Sequence, residues 1–467
     1  MASPSIAFAI RPFTAGVCML FAGLIAPSGT AAQSTFAPSA ATQEPAGQGS
    51  KSPKPGKQDS QQKESEQKEE GAKKADDKVG FRWKGYPSFQ LGKGTHIDLR
   101  ARVQLDAQGA DSPGNDSDEP ETDFARRRIG IEGEIGGVLA FEVDRELEGE
   151  NAWRDVYANY QQFDFVQVQG GKFKLPFSLD ENTSATNLDF VYRSLAARVL
   201  APGRDRGVMV HGRALDRMVR YELGVFDHDG RNARSQNPER VYGERTLAGR
   251  LVVQPFRSSK SIAADLQLGG AFTSSDLPEG ARSLRGVTTF EETFFDPDLF
   301  VLGRRQRAGF ELRWRPGPFS LKSEYMRVTT ERRGQSVEDS DLSPLLATGW
   351  YVSGTWAITG ENKADGLNKP RRPFMRGGFG AFEVGARIEE LTFTSAASDG
   401  VPSLSVRADL VEASSDRVTT LGANWYLNQW VKIQLNAIRE AIANPERRSL
   451  ATREPSWSFV TRFQFTM

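Results

Sequence analysis

The chain has 467 residues, enough for two or three soluble domains or for one large barrel, so length alone does not choose between them. Sixty Lys plus Arg balance sixty Asp plus Glu, which excludes a bulk attraction to nucleic acid, and a single cysteine, Cys18, excludes a disulfide framework or a thiolate metal site. The mean hydropathy of −0.49, with no long apolar run after the N-terminus, excludes a helical membrane protein but not a membrane barrel, whose alternating strands average out as polar.

Residues 1–32 read as a secretory signal peptide. Arg11 supplies the positive end, Phe13 to Ala26 an apolar core, and Thr30-Ala31-Ala32 the small residues before a cleavage site. Cys18 is preceded by Val17 and followed by more apolar core, which favours a plain signal over a lipoprotein one. Residues 33–79 are rich in Pro, Ser, Gln, Lys and Glu and lack an apolar seam, so they are expected to form a disordered periplasmic linker before a barrel at 80–467.

From Phe81 the texture changes to a period of two. In HIDLRARVQLDA, Ile97, Leu99, Ala101, Val103 and Leu105 alternate with His96, Asp98, Arg100, Arg102, Gln104 and Asp106. Segments of this kind start near 96, 124, 138, 152, 164, 206, 218, 245, 261, 305, 318, 347, 380, 403, 418 and 431, with a terminal one near 457. Bacterial single-chain barrels have an even strand number, so one of these is spurious and about sixteen are expected. The fold class is therefore all-β, a transmembrane antiparallel β-barrel.

Turns at 317–319 and 427–430 are tight, whereas 108–123, 274–304, 332–346 and 360–378 read as long external loops. Trp314, Tyr325, Trp350, Trp356, Trp425 and Trp430 fall in the outward series, where amphipathic rings suit interfacial girdles. The last strand alternates Phe459, Phe463, Phe465 and Met467.

Charge is concentrated in two places. In ETDFARRRIGIEGEI, Ile129, Ile131 and Ile135 define one face, so Arg126 and Arg128 share the other with Glu132 and Glu134, and Arg127 points away. The longest interruption in the strand rhythm, Gly170 to Gly212, carries Lys172, Lys174, Arg193, Arg198, Arg204 and Arg206, opposed by Asp180, Glu181 and Asp189.

GKFKLPFSLDENTS, APGRDRGVMV, GWYVSGTWAITGE, GAFEVGARIE and LGANWYLNQWVKIQLNA, in order within about residues 85–467, resemble the phosphate-selective porins O and P of bacterial outer membranes. The resemblance implies that the long loop folds inward and narrows the pore, that Arg126 and Arg128 line the path of anions, and that the protein is a homotrimer. It also implies that the terminal strand is read by the barrel-assembly machinery, although Met467 stands where that signal has an aromatic residue. The family's phosphate-binding lysines follow the inward loop's first turn and an E-Y-L segment on a later strand. This chain has Asp180-Glu181-Asn182 in the first place and Arg327-Val328-Thr329 after Glu324-Tyr325-Met326 in the second. The resemblance thus carries the channel further than it carries phosphate specificity.

The expected function is passive diffusion of small hydrophilic solutes through the outer membrane with an anion preference, phosphate and polyphosphate being among the candidate solutes. The expected pore-lining cations are Arg100, Arg102, Arg126, Arg128, Lys172, Lys174, Arg193, Arg198, Arg204 and Arg206, with no catalytic residue, metal or cofactor. The partners are these solutes and outer-membrane lipid. His96, His211 and His228 lie far apart, and Asp227-His228-Asp229-Gly230 reads as a hairpin tip rather than a metal site. Two alternatives stay open: a barrel that binds or hydrolyses rather than conducts, and a soluble β-sandwich.

Overall fold

The computed structural model describes residues 79–109, 121–149, 152–233, 245–296, 299–363, 369–374, 376–395, 413–444, 455 and 457–467. The signal-peptide and linker readings of 1–78 lie outside them.

A short hairpin, β1 (Gly80–Trp83) and β2 (Pro87–Gly92), leads into the barrel. Its first half runs β3 (Thr95–Gln108), β4 (Glu121–Ile135), β5 (Leu139–Glu146), β6 (Trp153–Tyr160), β7 (Gln167–Lys174), β8 (Arg204–Ala214), β9 (Val219–Phe226), β10 (Thr246–Val253) and β11 (Gln267–Arg282). A two-stranded flap, β12 (Gly286–Val287) and β13 (Thr293–Phe295), follows. The barrel resumes with β14 (Phe300–Trp314), β15 (Phe319–Arg332), β16 (Leu342–Ala357), β17 (Ala381–Ser395), β18 (Ser414–Tyr426), β19 (Val431–Ala443) and β20 (Trp457–Thr466).

Each barrel strand pairs antiparallel with the next, and β20 closes the ring on β3, from Val460 opposite Gln108 to Thr466 opposite Arg102. Sixteen strands form the closed wall, with the β1–β2 hairpin added along the start of β3. Closure matters because a membrane offers no water to an unpaired strand edge. The ring is complete without the segment expected near 403, which lies outside the described residues.

The period of two decides which side chains face out. Leu99, Ile129, Phe310, Val352, Leu421, Leu435 and Phe459 are exposed on the outer face, an apolar belt that suits hydrocarbon and would be a liability in water. At the short-turn end Phe319 stacks on Trp356 and Phe382 on Trp425, as a girdle requires, whereas Trp430 sits in a turn and donates Nε1–H to the Gly85 carbonyl at 2.5 Å.

Two loop expectations need correction. The segment 274–304 is wall at both ends, since β11 runs to Arg282 and β14 starts at Phe300, and only the stretch between them, which carries the flap, is loop. The described parts of 360–378 lie at the end of the tight turns: Lys363 N–H donates to the Gly317 carbonyl and Phe374 N–H to the Leu427 carbonyl. Strand parity, which length alone does not reveal, assigns that end.

The core lies inside the barrel. Inward side chains of β15–β20 are apolar near their outer ends: Met326, Val328, Leu345, Ala347, Leu391, Phe393, Val418, Ile438 and Val460 are buried. The flap packs on them through Phe294 and Phe295, with Phe295 stacked on Phe393 at 4.4 Å. Phe295→Ala is expected to cost about 3–5 kcal/mol and to loosen the flap, giving a larger single-channel conductance with a lower melting temperature.

Candidate functional site

The inward segment between β7 and β8 is built from two short helices, α1 (Leu179–Asn182) and α2 (Leu195–Val199). Each helix N-terminus, with its unsatisfied N–H groups, meets a wall carboxylate. Glu324 on β15 accepts from Leu179 N at 2.7 Å and Asp180 N at 2.8 Å, and Glu389 on β17 accepts from Leu195 N at 2.6 Å. Between the helices, Asp189 receives Lys322 and Lys363, both at 2.7 Å, and Lys432 donates to the carbonyls of Thr186 and Leu188. Gly349 allows the close approach: a Cβ there would lie 2.8 Å from that of Ala196. The loop is thus fastened across the β15–β20 side, and open space remains beside β3–β8.

That space is a cavity of about 1000 Å³, and a second of about 200 Å³ continues toward Thr466 and Met467. They share Arg102, Arg128, Glu132, Glu142 and Asp144, so the two adjoin at these polar residues, the larger reaching Phe290 and Glu291 and the smaller the short-turn end.

Of the cations expected from the sequence, Arg102, Arg126, Arg128, Lys174, Arg193, Arg198 and Arg204 line the larger cavity, and Arg100 lines the smaller one. Lys172 and Arg206 line neither. They are strand residues rather than loop residues, opposite each other across β7 and β8 in the same series as the exposed Val168, Val208 and Val210, and Arg206 meets Asp227 at 3.1 Å. Lys174 and Arg204, in that series too, stand at the strand ends, where they line the larger cavity.

Several lining cations are already engaged. Arg128 binds Asp144 at 3.1 Å and Glu146 at 3.0 Å, and Arg204 makes a two-pronged contact with Asp155, the shorter arm 2.6 Å. Lys174 and Arg193 donate to loop carbonyls, Arg198 holds the Thr289 carbonyl and Glu291, and Arg100 pairs with Glu132 over the ring of Tyr86. Among the described residues Arg126 donates only to Gln104, at 2.5 Å, and the buried Nε of Arg102 has no hydrogen-bond partner. Among the described residues neither has a carboxylate partner within ion-pair distance. Arg127 points outward, over the ring of Phe124 and against Glu148.

Sequence reasoning missed Arg154, Arg231 and Arg462 on the basic side and Glu142, Asp144 and Asp155 on the acidic side. Arg462 was within reach, since the outward Phe459, Phe463 and Phe465 leave Val460, Arg462 and Gln464 as the inward series. Arg462 pairs with Asp106 at 2.6 Å and also donates to the Val191 carbonyl at 2.5 Å. Arg231 required the fold, because it arrives from another loop to bind Glu181 at 3.0 Å. Burial raises the Glu181 carboxyl, but Arg231 and Arg193 outweigh it and hold it down at about 2. Its stabilising contribution is therefore present above the ordinary carboxylate range and is lost only as pH falls through that value.

The Asp227–Gly230 stretch is an anchor. Asp229 is buried between Arg305 at 2.9 Å and Arg307 at 2.6 Å. The histidines remain apart, with His211 on Asn159 and His228 beside Asp205. Glu142, Asp144 and Asp155 bring carboxylate oxygens within 4.8 Å of one another, the spacing of a metal group, yet Tyr157, Arg128 and Arg204 already hold them in turn.

This closed wall with its fastened inner loop agrees with the family profile for phosphate-selective porin O and P, which matches residues 97–466. The chain belongs to that family. Porin O of Pseudomonas aeruginosa is 24% identical over 339 residues, covering 66% of this chain and 72% of its own length. Among solved structures, the outer membrane channel DcaP of Acinetobacter baumannii has a TM-score of 0.50 at 9% identity, covering 84% of this chain and all of its own. As a phosphate-selective porin O and P family member, the protein is an outer-membrane channel barrel, and its relatives are porins rather than enzymes.

Proposed function

We propose that the barrel conducts small hydrophilic solutes passively and favours anions. The observation that carries this reading is the pairing pattern of the path: the lining is near charge balance, but among the described residues Arg102 and Arg126 have no carboxylate at ion-pair distance. Uncompensated guanidiniums can replace part of an anion's hydration shell with fixed donors. Phosphate fits as one admitted anion rather than as a specifically bound substrate, since Asp180-Glu181-Asn182 and Arg327-Val328-Thr329 stand where the family resemblance would put lysines. A Sec-exported leader at 1–32, a periplasmic linker at 33–79, homotrimeric assembly, lipid contact and insertion through the terminal strand complete the reading.

The test is reconstitution in a planar bilayer under a potassium chloride gradient. Discrete channel steps with an anion-selective reversal potential are expected, and absence of steps would remove the pore reading. Arg126→Ala should lower the anion preference. Arg128→Ala should lower it too, since it also uncovers Asp144 and Glu146. Arg127→Ala should leave it nearly unchanged, and equal effects from all three would undo the assigned strand phase.

A further inference from the structure

Resting on the channel reading above, we propose that the narrow part of the path favours dipolar solutes, small molecules that carry a carboxylate and an ammonium at once. The two cavities meet at a wall whose residues differ in what they still offer. On β3 and β4, Arg102 and Arg126 present guanidiniums with no carboxylate partner among the described residues, and the Nε of Arg102 is buried without any acceptor. On β5, Glu142 faces the same space, and its only described partner is the Tyr157 hydroxyl at 2.9 Å. Its oxygens lie within 4.8 Å of those of Asp144 and Asp155, which are themselves paired with Arg128 and Arg204.

Arg102 and Glu142 both line both cavities, yet no ion pair joins them. Two opposite charges held apart by their backbones, each short of a partner, suit a ligand that brings both complements. A simple anion satisfies the guanidiniums and is repelled by Glu142, and a simple cation meets the reverse. A solute with its two charges a few bonds apart can satisfy both, which local charge complementarity favours over either ion. Packing across β3–β8 fixes this separation, so little reordering is needed on entry.

The experiment compares swelling rates of liposomes containing the full-length chain in glutamine, a net-neutral zwitterion, and in xylose, an uncharged solute of similar size. Wild type should admit glutamine about threefold faster, less than one charge-assisted hydrogen bond would allow. Glu142→Gln should bring the ratio near one while chloride conductance persists. Tyr157→Phe, which removes the donor now on Glu142, should keep or raise it. Equal wild-type rates with intact salt conductance would overturn the proposal alone, as would an unchanged ratio in Glu142→Gln. Loss of salt conductance in wild type would overturn the channel reading and this proposal with it. Heat-modifiable gel mobility confirms that each variant forms a barrel.

Discussion

Asp229→Asn is expected to destabilise the folded barrel by about 3–5 kcal/mol, the scale for removing one member of a buried ion pair. The Asp229 carboxylate is 3% exposed and lies between two guanidiniums that have no solvent exposure. It also accepts from Ser275 at 3.0 Å. Arg307 continues to the Leu200 carbonyl at 2.7 Å, so the same carboxylate indirectly fixes the end of the inward loop. Without it two buried cations repel each other across β14, and the Gly230–Asn232 turn loses its seat. The expected readout is a lower unfolding temperature together with noisier, larger single-channel currents. An unchanged melting temperature would mean that the triad is not what anchors this loop.

Arg102→Gln combined with Arg126→Gln should reduce the anion-to-cation permeability ratio by about fivefold or more. A unit charge about 4 Å away is worth about 1 kcal/mol even in bulk water, and more beside protein. Among the described residues these two guanidiniums face the path with no carboxylate at ion-pair distance, so their charge is less compensated than that of Arg128 or Arg204. The variant should shift the reversal potential toward potassium, and the shift should shrink as salt rises and screening grows. Retention of the wild-type reversal potential would show that the paired arginines, rather than these two, set selectivity. Arg204→Gln makes a useful contrast, because it exposes Asp155 and is expected to favour cations by freeing an acid.

The wall was legible because it depends on neighbours in sequence. Ile97 to Asp106 alternate, and alternation places Arg100, Arg102, Arg126 and Arg128 inward and Arg127 outward with no knowledge of what lies across the barrel. The same rule fails where the lumen is not polar. Met326, Val328, Leu391 and Phe393 face inward yet are apolar, because they seat the flap rather than water. Lys172 and Arg206 were misplaced because β7 runs on to Lys174 and β8 starts at Arg204, so both belong to strands rather than to the inward loop.

By itself the sequence determined a closed antiparallel wall, its outward apolar belt, its family and the strand phase of the basic residues on β3 and β4, because each follows from a two-residue period or a contiguous motif. Only the tertiary structure decided which charges are spent. Whether a guanidinium is available to a solute depends on carboxylates brought from other strands and loops: Asp155 to Arg204, Glu181 to Arg231, Asp229 to Arg305 and Arg307. Such pairings join residues far apart in the chain through backbone geometry and loop closure, which no local pattern encodes, and they leave Arg102, Arg126 and Glu142 open to the path.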